Sequence, residues 1–107
     1  GYSIQYIKNP SLEVQLEAVK RNGYSIQYIK NPSLEVQLEA LKGNEKNIIS
    51  ILPHLNISEK EDLLSLNKVF LKALLRQELL NGESIDYLIK NGDKEIKTII
   101  MEYKLSK

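Results

Sequence analysis

The sequence lacks cysteine and tryptophan and has a single histidine, His54, among its 107 residues. Without cysteine, the chain has no disulfides, no thiolate nucleophile and no cysteine ligands for a metal ion. His54 follows Pro53, and no nucleophile or further metal ligands can be identified around it, which is typical of an ordinary loop residue. Fifteen basic and 14 acidic residues give a net charge of +1, so the overall charge provides no general attraction to DNA or to anionic membranes.

Long apolar runs and catalytic signatures are also missing from the sequence. No stretch approaches the roughly 18 consecutive apolar residues of a membrane-spanning helix. There is no phosphate-binding loop, metal-ligand cluster, nucleophile motif or cofactor fingerprint. We therefore expect a cytoplasmic protein that is not an enzyme, uses no cofactor or metal and has no membrane partner.

What the sequence does contain is a 22-residue repeat. Residues 1–22 and 23–44 are identical at 20 of 22 positions. A fixed period of this length is typical of stacked supersecondary units, none of which can bury its apolar face alone. Such stacks commonly present an extended surface to a binding partner.

Each copy predicts a short helix followed by a longer one. The short helices are expected over residues 2–8 and 24–30. In the first copy, Asn9 and Pro10 favour a cap and first turn for a helix over residues 10–21. Asn22 and Gly23 are expected to end this helix, with Gly23 in the left-handed conformation. The apolar residues of the helix fall on two opposite sides, which predicts packing between two neighbours.

The second half of the chain predicts further helices. They are expected over residues 45–52, 59–80, 83–90 and 93–105. Asn44 favours a cap for the first of these helices, and Ser58 with Glu61 three residues later resembles a capping box for the second. The last two helices form a divergent third copy of the unit, which begins at Gly82.

The segment NPSLEVQLEAVKRNGYSIQYIKNPS, residues 9–33, contains the pattern E-V-x-L-x-A-V-K-x-N-G-x-x-I-x-Y. The residues that match this pattern are Glu13, Val14, Leu16, Ala18, Val19, Lys20, Asn22, Gly23, Ile26 and Tyr28. The pattern resembles short helix-pair repeats of unknown function found in bacterial and phage proteins. The resemblance covers the first 44 residues well, residues 82–103 weakly and residues 45–80 not at all. It implies an α-solenoid like a shortened HEAT array and supplies no catalytic residues.

The expected fold is therefore all-α, with short helix-pair repeats stacked as a HEAT-like α-solenoid in a single domain, residues 1–107. Repeats 1–22 and 23–44 are followed by a two-helix insertion over residues 45–81. A degenerate C-terminal repeat, residues 82–107, is expected to cap the stack.

The tyrosines of the short helices are the main candidates for a binding surface. A rigid ring with a hydrogen-bonding hydroxyl is common at interfaces, and stacking would place equivalent rings about 10 Å apart. The candidate partner-binding residues are Tyr2, Gln5, Tyr24 and Gln27. The divergent copy retains Tyr87 but has Glu83 and Asp86 at the candidate positions. We therefore interpret Tyr6, Tyr28 and Tyr87 as structural residues that seal one repeat onto the next.

Four glutamates recur on the longer helices and suggest either an acidic docking ridge or a solvated face. They are Glu13, Glu17, Glu35 and Glu39. We expect a solvated face, on which Glu17 is supported by Lys20 or Arg21. Glu39 is expected to be supported in the same way by Lys42.

These patterns favour a non-catalytic interaction module that binds a partner protein through an exposed helical-repeat surface. One alternative is a phage or mobile-element inhibitor that blocks a host enzyme. Another is single-stranded nucleic-acid binding, in which recurring lysines would contact phosphates and tyrosines would stack on bases. The alternating glutamates largely cancel the positive charge of the lysines, so we do not expect a nucleic-acid partner. Self-association is a further possibility, because near-identical repeats favour out-of-register pairing.

Overall fold

Helices make up most of the described part of the chain, which comprises residues 4–107 without the side chain of Gln5. In this computed structural model, 73% of the described residues are helical and none of them lies in a β-strand, which confirms the all-α class. No helix within residues 4–107 has the length and apolar character needed to cross a bilayer. The chain divides between Leu55 and Asn56 into two units, which are described separately.

The first unit repeats one arrangement, a 3₁₀ turn followed by a ten-residue α-helix. The elements are the turn Ile4–Tyr6, α1 (Leu12–Arg21), the turn Gly23–Tyr28 and α2 (Leu34–Gly43). They are followed by the turn Glu45–Asn47, the short helix α3 (Ile48–Ile51) and the turn Leu52–His54. The helix expected over residues 45–52 is therefore present as three short consecutive segments.

The α-helices of both copies begin at a serine cap. The Ser11 hydroxyl accepts a hydrogen bond of 3.2 Å from the Val14 amide, and Ser33 caps α2 in the same way. The cap expected at Asn9 is therefore wrong. Asn9 and Asn31 instead have a φ of 53°. Because a residue before proline disfavours the right-handed helical region and asparagine tolerates the left-handed one, these residues form the bend that precedes each helix.

The short segments are 3₁₀ turns, and their burial repeats every three residues. Gly23, Ile26 and Ile29 are buried along one side of the turn Gly23–Tyr28 and its end. Three residues per turn is the repeat of a 3₁₀ helix, so this spacing places the three residues in line. A spacing of three also separates Ile48 and Ile51, the two buried ends of the short α-helix α3.

A single asparagine joins each α-helix to the following turn. The Asn22 N–H donates to the Ala18 carbonyl at 3.0 Å, while its Oδ1 accepts from the Tyr24 amide at 3.0 Å. Asn44 occupies the equivalent place after α2, and its Oδ1 accepts from the Lys46 amide at 2.9 Å. The cap expected at Asn44 is therefore confirmed.

Gly23 is required by close packing and not by its backbone conformation. Among the described residues no glycine has a positive φ, so the left-handed conformation expected for Gly23 is wrong. A Cβ at Gly23 would lie 1.9 Å from Asn47 Nδ2 and 2.7 Å from the Ala40 carbonyl oxygen. These two groups are themselves hydrogen-bonded at 2.8 Å. The glycine therefore lets the turn approach this buried amide–carbonyl pair.

The second unit contains a 3₁₀ turn and three α-helices. They are the turn Lys60–Ser65, α4 (Lys68–Arg76), α5 (Gly82–Asn91) and α6 (Lys94–Leu105). The two helices expected after Gly82 are confirmed within two residues at each end. However, α5 is a full α-helix, whereas the aligned segment of the second repeat is the 3₁₀ turn Gly23–Tyr28. The divergent copy therefore differs from the first two copies in local structure.

The prediction of a continuous helix over residues 59–80 is wrong, because this segment forms the turn Lys60–Ser65 and the shorter helix α4. At the start, Asp62 Oδ2 accepts from the Ser58 and Glu59 amides at 2.9 and 3.0 Å, so the expected capping pair of Ser58 and Glu61 is not formed. These backbone hydrogen bonds lower the pKa of Asp62. Asn67 then begins a new helix, because its Oδ1 accepts from the Val69 amide at 2.8 Å.

The C-terminus of α4 is a Schellman motif centred on Glu78, which has a φ of 58°. The Leu79 amide donates to the Leu74 carbonyl at 2.9 Å, and the Glu78 amide donates to the Leu75 carbonyl at 3.0 Å. This left-handed residue ends the helix before the expected boundary. Asn81 consequently caps α5 and does not end the preceding helix.

Each unit has its own set of buried apolar residues. In the first unit they are Ile4, Val19, Ile26, Ile29, Val36, Ala40, Leu41, Ile48 and Ile51. In the second unit they are Leu63, Leu66, Phe70, Leu71, Ala73, Leu74, Leu75, Leu88, Ile96, Ile99 and Ile100.

Candidate functional site

The turn Gly23–Tyr28 places two of the predicted binding residues on one exposed face. In a 3₁₀ helix, side chains three residues apart are eclipsed, so Tyr24 and Gln27 lie one above the other. Tyr24 is 51% exposed and Gln27 is exposed, whereas Ile26 is completely buried. The structure therefore brings Tyr24 and Gln27 together at the surface.

The other two predicted residues belong to the first copy of the repeat. Tyr2 lies outside the described residues, and so does the side chain of Gln5. The backbone of the turn Ile4–Tyr6 packs against the turn Gly23–Tyr28. The short turns of the two copies are therefore neighbours, as the expected ladder of equivalent side chains requires.

Tyr6 and Tyr28 are exposed, so their interpretation as sealing residues is wrong. Tyr6 is 82% exposed and Tyr28 about half exposed. The physical reason is the period of three, which fills the buried side of the second turn with Gly23, Ile26 and Ile29 and leaves Tyr28 outside. Tyr87 is half-buried, with the Lys60 Nζ 5.6 Å from its ring centre. We call Tyr6, Tyr24, Gln27 and Tyr28 the tyrosine surface.

The backbone beneath the tyrosine surface is held in place by local bonds and burial. Asn22 caps the start of the turn Gly23–Tyr28, and the Ile29 amide donates to the Ile26 carbonyl at 3.1 Å at its end. The buried Ile26 and Ile29 side chains anchor the turn to the core. Since a tyrosine has only two rotatable side-chain bonds, a fixed backbone presents its ring at low entropic cost.

The sequence reasoning missed that the first half of the unit occurs a third time. Asn44, Ile48 and Ile51 follow Asn22, Ile26 and Ile29 at a spacing of 22 residues. This spacing could have identified the third copy, which comprises the turn Glu45–Asn47 and the short helix α3. Ile49 occupies the position of Gln27 in this copy and is 55% exposed. The third segment also packs against the turn Gly23–Tyr28 and adds an exposed apolar side chain to the first unit.

Two of the recurring glutamates, Glu17 and Glu39, form ion pairs along their own helices. Arg21 Nε lies 3.9 Å from Glu17 Oε1, and Lys42 Nζ lies 3.2 Å from Glu39 Oε2. Both pairs were expected from the sequence. Within residues 4–107, no cluster of three or more His, Cys, Asp or Glu side chains has a geometry that could hold a metal ion.

The second unit contains two exposed ion-pair clusters. Glu83 Oε1 lies 3.0 Å from Lys60 Nζ and raises the pKa of that ammonium. Glu78 forms an ion pair with Lys107 and accepts a hydrogen bond of 2.9 Å from the Tyr103 hydroxyl. These contacts lower the pKa of Glu78, while pairing with Glu78 raises the pKa of Lys107. Both clusters join separate elements of the unit: Lys60 of the turn Lys60–Ser65 to Glu83 of α5, and Glu78 after α4 to Tyr103 and Lys107 at the end of the described chain.

A small cavity of about 110 Å³ lies between α4 and α6, with Lys72, Glu102 and Tyr103 among its lining residues. A wider surface groove of about 460 Å³ continues along the same two helices past Thr98. Pockets that bury a small-molecule ligand usually enclose roughly 300–1,000 Å³ within mainly apolar walls. The small cavity is below this range, and the groove is an open surface depression that does not enclose a ligand. Comparison with protein-family models, with curated proteins and with solved structures gives no match to this chain.

Proposed function

We propose that this chain is a non-catalytic interaction module, in which short helical repeats stacked as a HEAT-like α-solenoid present the tyrosine surface to a partner protein. The main support is the exposure of Tyr24, Gln27 and Tyr28 on one turn whose backbone is capped and anchored. Large exposed aromatic side chains are enriched at interfaces and among the residues that dominate binding energy.

The chemistry of the tyrosine surface suits a protein partner. It offers three aromatic rings, their hydroxyl groups and one amide, without a formal charge of its own. The rings can bury apolar side chains of the partner, while the hydroxyls and the amide can satisfy its exposed peptide groups. Affinity would therefore depend on burial and hydrogen bonding, and would depend only weakly on salt concentration.

The titratable groups of the second unit support a binding role without bond chemistry. Lys60, Glu78 and Lys107 have displaced pKa values because they form ion pairs at the surface. Asp62 has a lowered pKa because it accepts two backbone hydrogen bonds at a cap. A catalytic acid or base is usually displaced by burial in a cleft with a charged partner, which is a different arrangement.

The test is affinity capture from a lysate of the source organism with wild-type protein and two serine variants. Tyr24→Ser removes a ring from the tyrosine surface. Leu34→Ser is the matched control, because Leu34 is 50% exposed and belongs to α2, not to the turn Gly23–Tyr28. We expect a partner protein that resists nuclease treatment, is retained by Leu34→Ser and is lost with Tyr24→Ser. Equal capture by both variants would contradict the proposal.

The same experiment separates the alternatives. A captured host enzyme whose activity falls on binding would identify the chain as an inhibitor that uses the tyrosine surface. Capture that disappears with nuclease and weakens steeply with salt would instead indicate single-stranded nucleic-acid binding, because phosphate contacts release counterions. In that case the protein-binding proposal is wrong.

A further inference from the structure

Three asparagines of the chain are followed directly by glycine, at residues 22–23, 81–82 and 91–92. In such a pair the glycine backbone nitrogen can attack the side-chain amide carbon of the asparagine. Glycine favours the attack because it has no Cβ to obstruct the ring that forms. By contrast, Asn9 and Asn31 precede proline, whose nitrogen has no proton to lose. The sequence therefore contains three chemically equal sites, and the structure makes them unequal.

The reaction exchanges the side-chain amide for a carboxylate and consumes only water. The glycine nitrogen bonds to the asparagine Cγ, the Cγ–Nδ2 bond breaks, and the proton lost by the glycine N–H leaves with the amide nitrogen as ammonia. Water then opens the cyclic imide at either of its carbonyl groups. One opening gives aspartate. The other gives isoaspartate, in which the main chain runs through the former side chain.

Ring closure in the folded protein has two requirements. The glycine N–H must be free of hydrogen bonds, and the chain must turn until the nitrogen and Cγ lie about 3–3.5 Å apart. Asn91, the last residue of α5, meets neither requirement. The Gly92 N–H donates to the Leu88 carbonyl at 2.8 Å, and Asn91 Nδ2 donates to the Tyr87 carbonyl at 3.0 Å. Both the attacking and the leaving nitrogen are therefore held, and Gly92 is also buried.

Asn22 meets the first requirement and not the second. Within residues 4–107 the Gly23 N–H donates no hydrogen bond. However, Gly23 is buried against the Asn47 amide and the Ala40 carbonyl. Asn22 also joins α1 directly to the following turn, and its own N–H is bonded to the Ala18 carbonyl. Rotation of the chain at this junction must therefore displace one of two packed elements.

Asn81 meets both requirements. The Gly82 N–H donates no hydrogen bond to any residue that the structure describes. Asn81 and Gly82 are both exposed, and residues 79–81 belong to no helix, so this part of the chain can turn without moving a packed element. Asn81 Oδ1 accepts from the Ser84 amide at 2.8 Å. Asn22 makes an equivalent cap bond, so the cap does not distinguish these two sites.

We propose that Asn81 is a site of spontaneous deamidation in the folded protein, and that the fold protects Asn22 and Asn91 from the same reaction. The aspartate product retains the cap of α5, because aspartate is an equally good cap and its charge suits the start of a helix. The isoaspartate product loses the cap, because the additional main-chain carbon displaces the carboxylate. Either product lowers the net charge of the chain from +1 to zero, which reduces the repulsion between copies.

The test incubates folded wild type and Gly82→Ala at mildly alkaline pH, where the glycine nitrogen loses its proton more readily. Peptide mapping by mass spectrometry then follows each of the three pairs. Conversion at Asn81 should be at least ~10-fold faster than at Asn22 or Asn91, because only the latter two need local unfolding. Gly82→Ala should slow conversion at Asn81 by at least ~10-fold, because the added Cβ obstructs ring closure.

The structure tolerates this alanine, which makes Gly82→Ala a clean variant. A Cβ at Gly82 has no heavy atom outside its own segment within 4 Å, and no described glycine has a positive φ. Its circular dichroism melting curve should therefore match that of wild type. Asn81→Ser is the second variant, because serine retains a capping oxygen but has no amide to lose. Ion-exchange chromatography of aged Asn81→Ser should lack the acidic form that accumulates in wild type.

Unfolded protein separates the effect of the fold from that of the sequence. In concentrated urea the three pairs should convert at rates within about threefold of one another, because no packed element protects any of them. Equal rates in the folded protein would overturn the proposal. So would an Asn81 that stays intact in folded protein while it converts in urea, an equal rate in Gly82→Ala, or an acidic form that persists in Asn81→Ser.

Discussion

Replacement of Gly23 by alanine is expected to destabilise the first unit by roughly 2–6 kcal/mol. The added Cβ would lie 1.9 Å from Asn47 Nδ2 and 2.7 Å from the Ala40 carbonyl oxygen, so the Asn47 amide must move. Asn47 is buried, and its Nδ2 donates to Ala40 at 2.8 Å. Loss of this bond leaves buried polar groups unpaired, at about 1–3 kcal/mol. Accommodation of the methyl group in a packed core adds about 1–3 kcal/mol.

The matched control is Gly43→Ala, at the last residue of α2. A Cβ at Gly43 has no other heavy atom within 4 Å. Alanine is favoured over glycine in a helix by roughly 0.5–1 kcal/mol, so this variant should be slightly more stable than wild type. The same glycine-to-alanine change, made at two positions 20 residues apart, should therefore lower the free energy of unfolding at Gly23 and raise it at Gly43.

The free energy of unfolding is measured by urea titration, followed by far-ultraviolet circular dichroism. Hydrogen exchange with mass spectrometry then shows whether residues 4–55 lose protection, while peptides from residues 56–107 serve as an internal reference. In an Asn47→Ala background, the cost of Gly23→Ala should fall but remain above zero, because the Ala40 carbonyl is still close. A Gly23→Ala protein within about 0.5 kcal/mol of wild type would refute the packing explanation.

Three further predictions concern the turn and the charged groups. Ile26→Ala should cost about 2–5 kcal/mol in urea unfolding, whereas Tyr24→Ser should stay within about 0.5 kcal/mol, because only the first side chain is buried. The pKa of Asp62 lies below its ordinary 3.8. The ionised Asp62 cap therefore stabilises the fold above pH 3.8, and this stabilisation is lost as the pH falls through the lowered pKa. Asp62→Asn should remove this part of the acid dependence of the free energy of unfolding. The pKa of Glu78 is lowered mainly by Lys107, so Lys107→Gln should move the Glu78 pKa back toward 4.5 in a carbon-13 carboxyl titration. The pKa of Lys107 is raised by Glu78, so its contribution is complete below pH 10.5 and is lost as the pH rises through the raised value.

The all-α class and most helix positions could be predicted because their signals are local. α1 ends at Arg21 and α6 ends at Leu105, as expected, since capping residues and apolar spacing act within a few residues of the chain. The prediction of one helix over residues 59–80 is wrong because the spacing of its apolar residues fits two structures equally well. Leu63, Leu66 and Phe70 are buried both in a continuous helix and in the observed turn plus helix. Side-chain bonds to the backbone decided between the two.

The candidate surface was predicted in part. The exposure of Tyr24 and Gln27 agrees with the sequence interpretation, but Tyr28 was assigned to the wrong side. That assignment followed from the retention of Tyr87 in the divergent copy, but Tyr87 lies in an α-helix at about 100° per residue, whereas the 3₁₀ turn Gly23–Tyr28 rotates by about 120° per residue. The spacing of Gly23, Ile26 and Ile29 contained the correct period.

The double role of Asn22 has a consequence for how such a chain can change in length. Because one residue both closes a helix and opens the next turn, successive units are joined without a separate linker. A block of 22 residues added or removed between Asn22 and Gly23 leaves the hydrogen bonds of every junction unchanged. Unequal crossing-over within the gene can therefore alter the number of blocks without creating a new loop that must be accommodated. Whole blocks are expected to be gained and lost more readily than single residues within them.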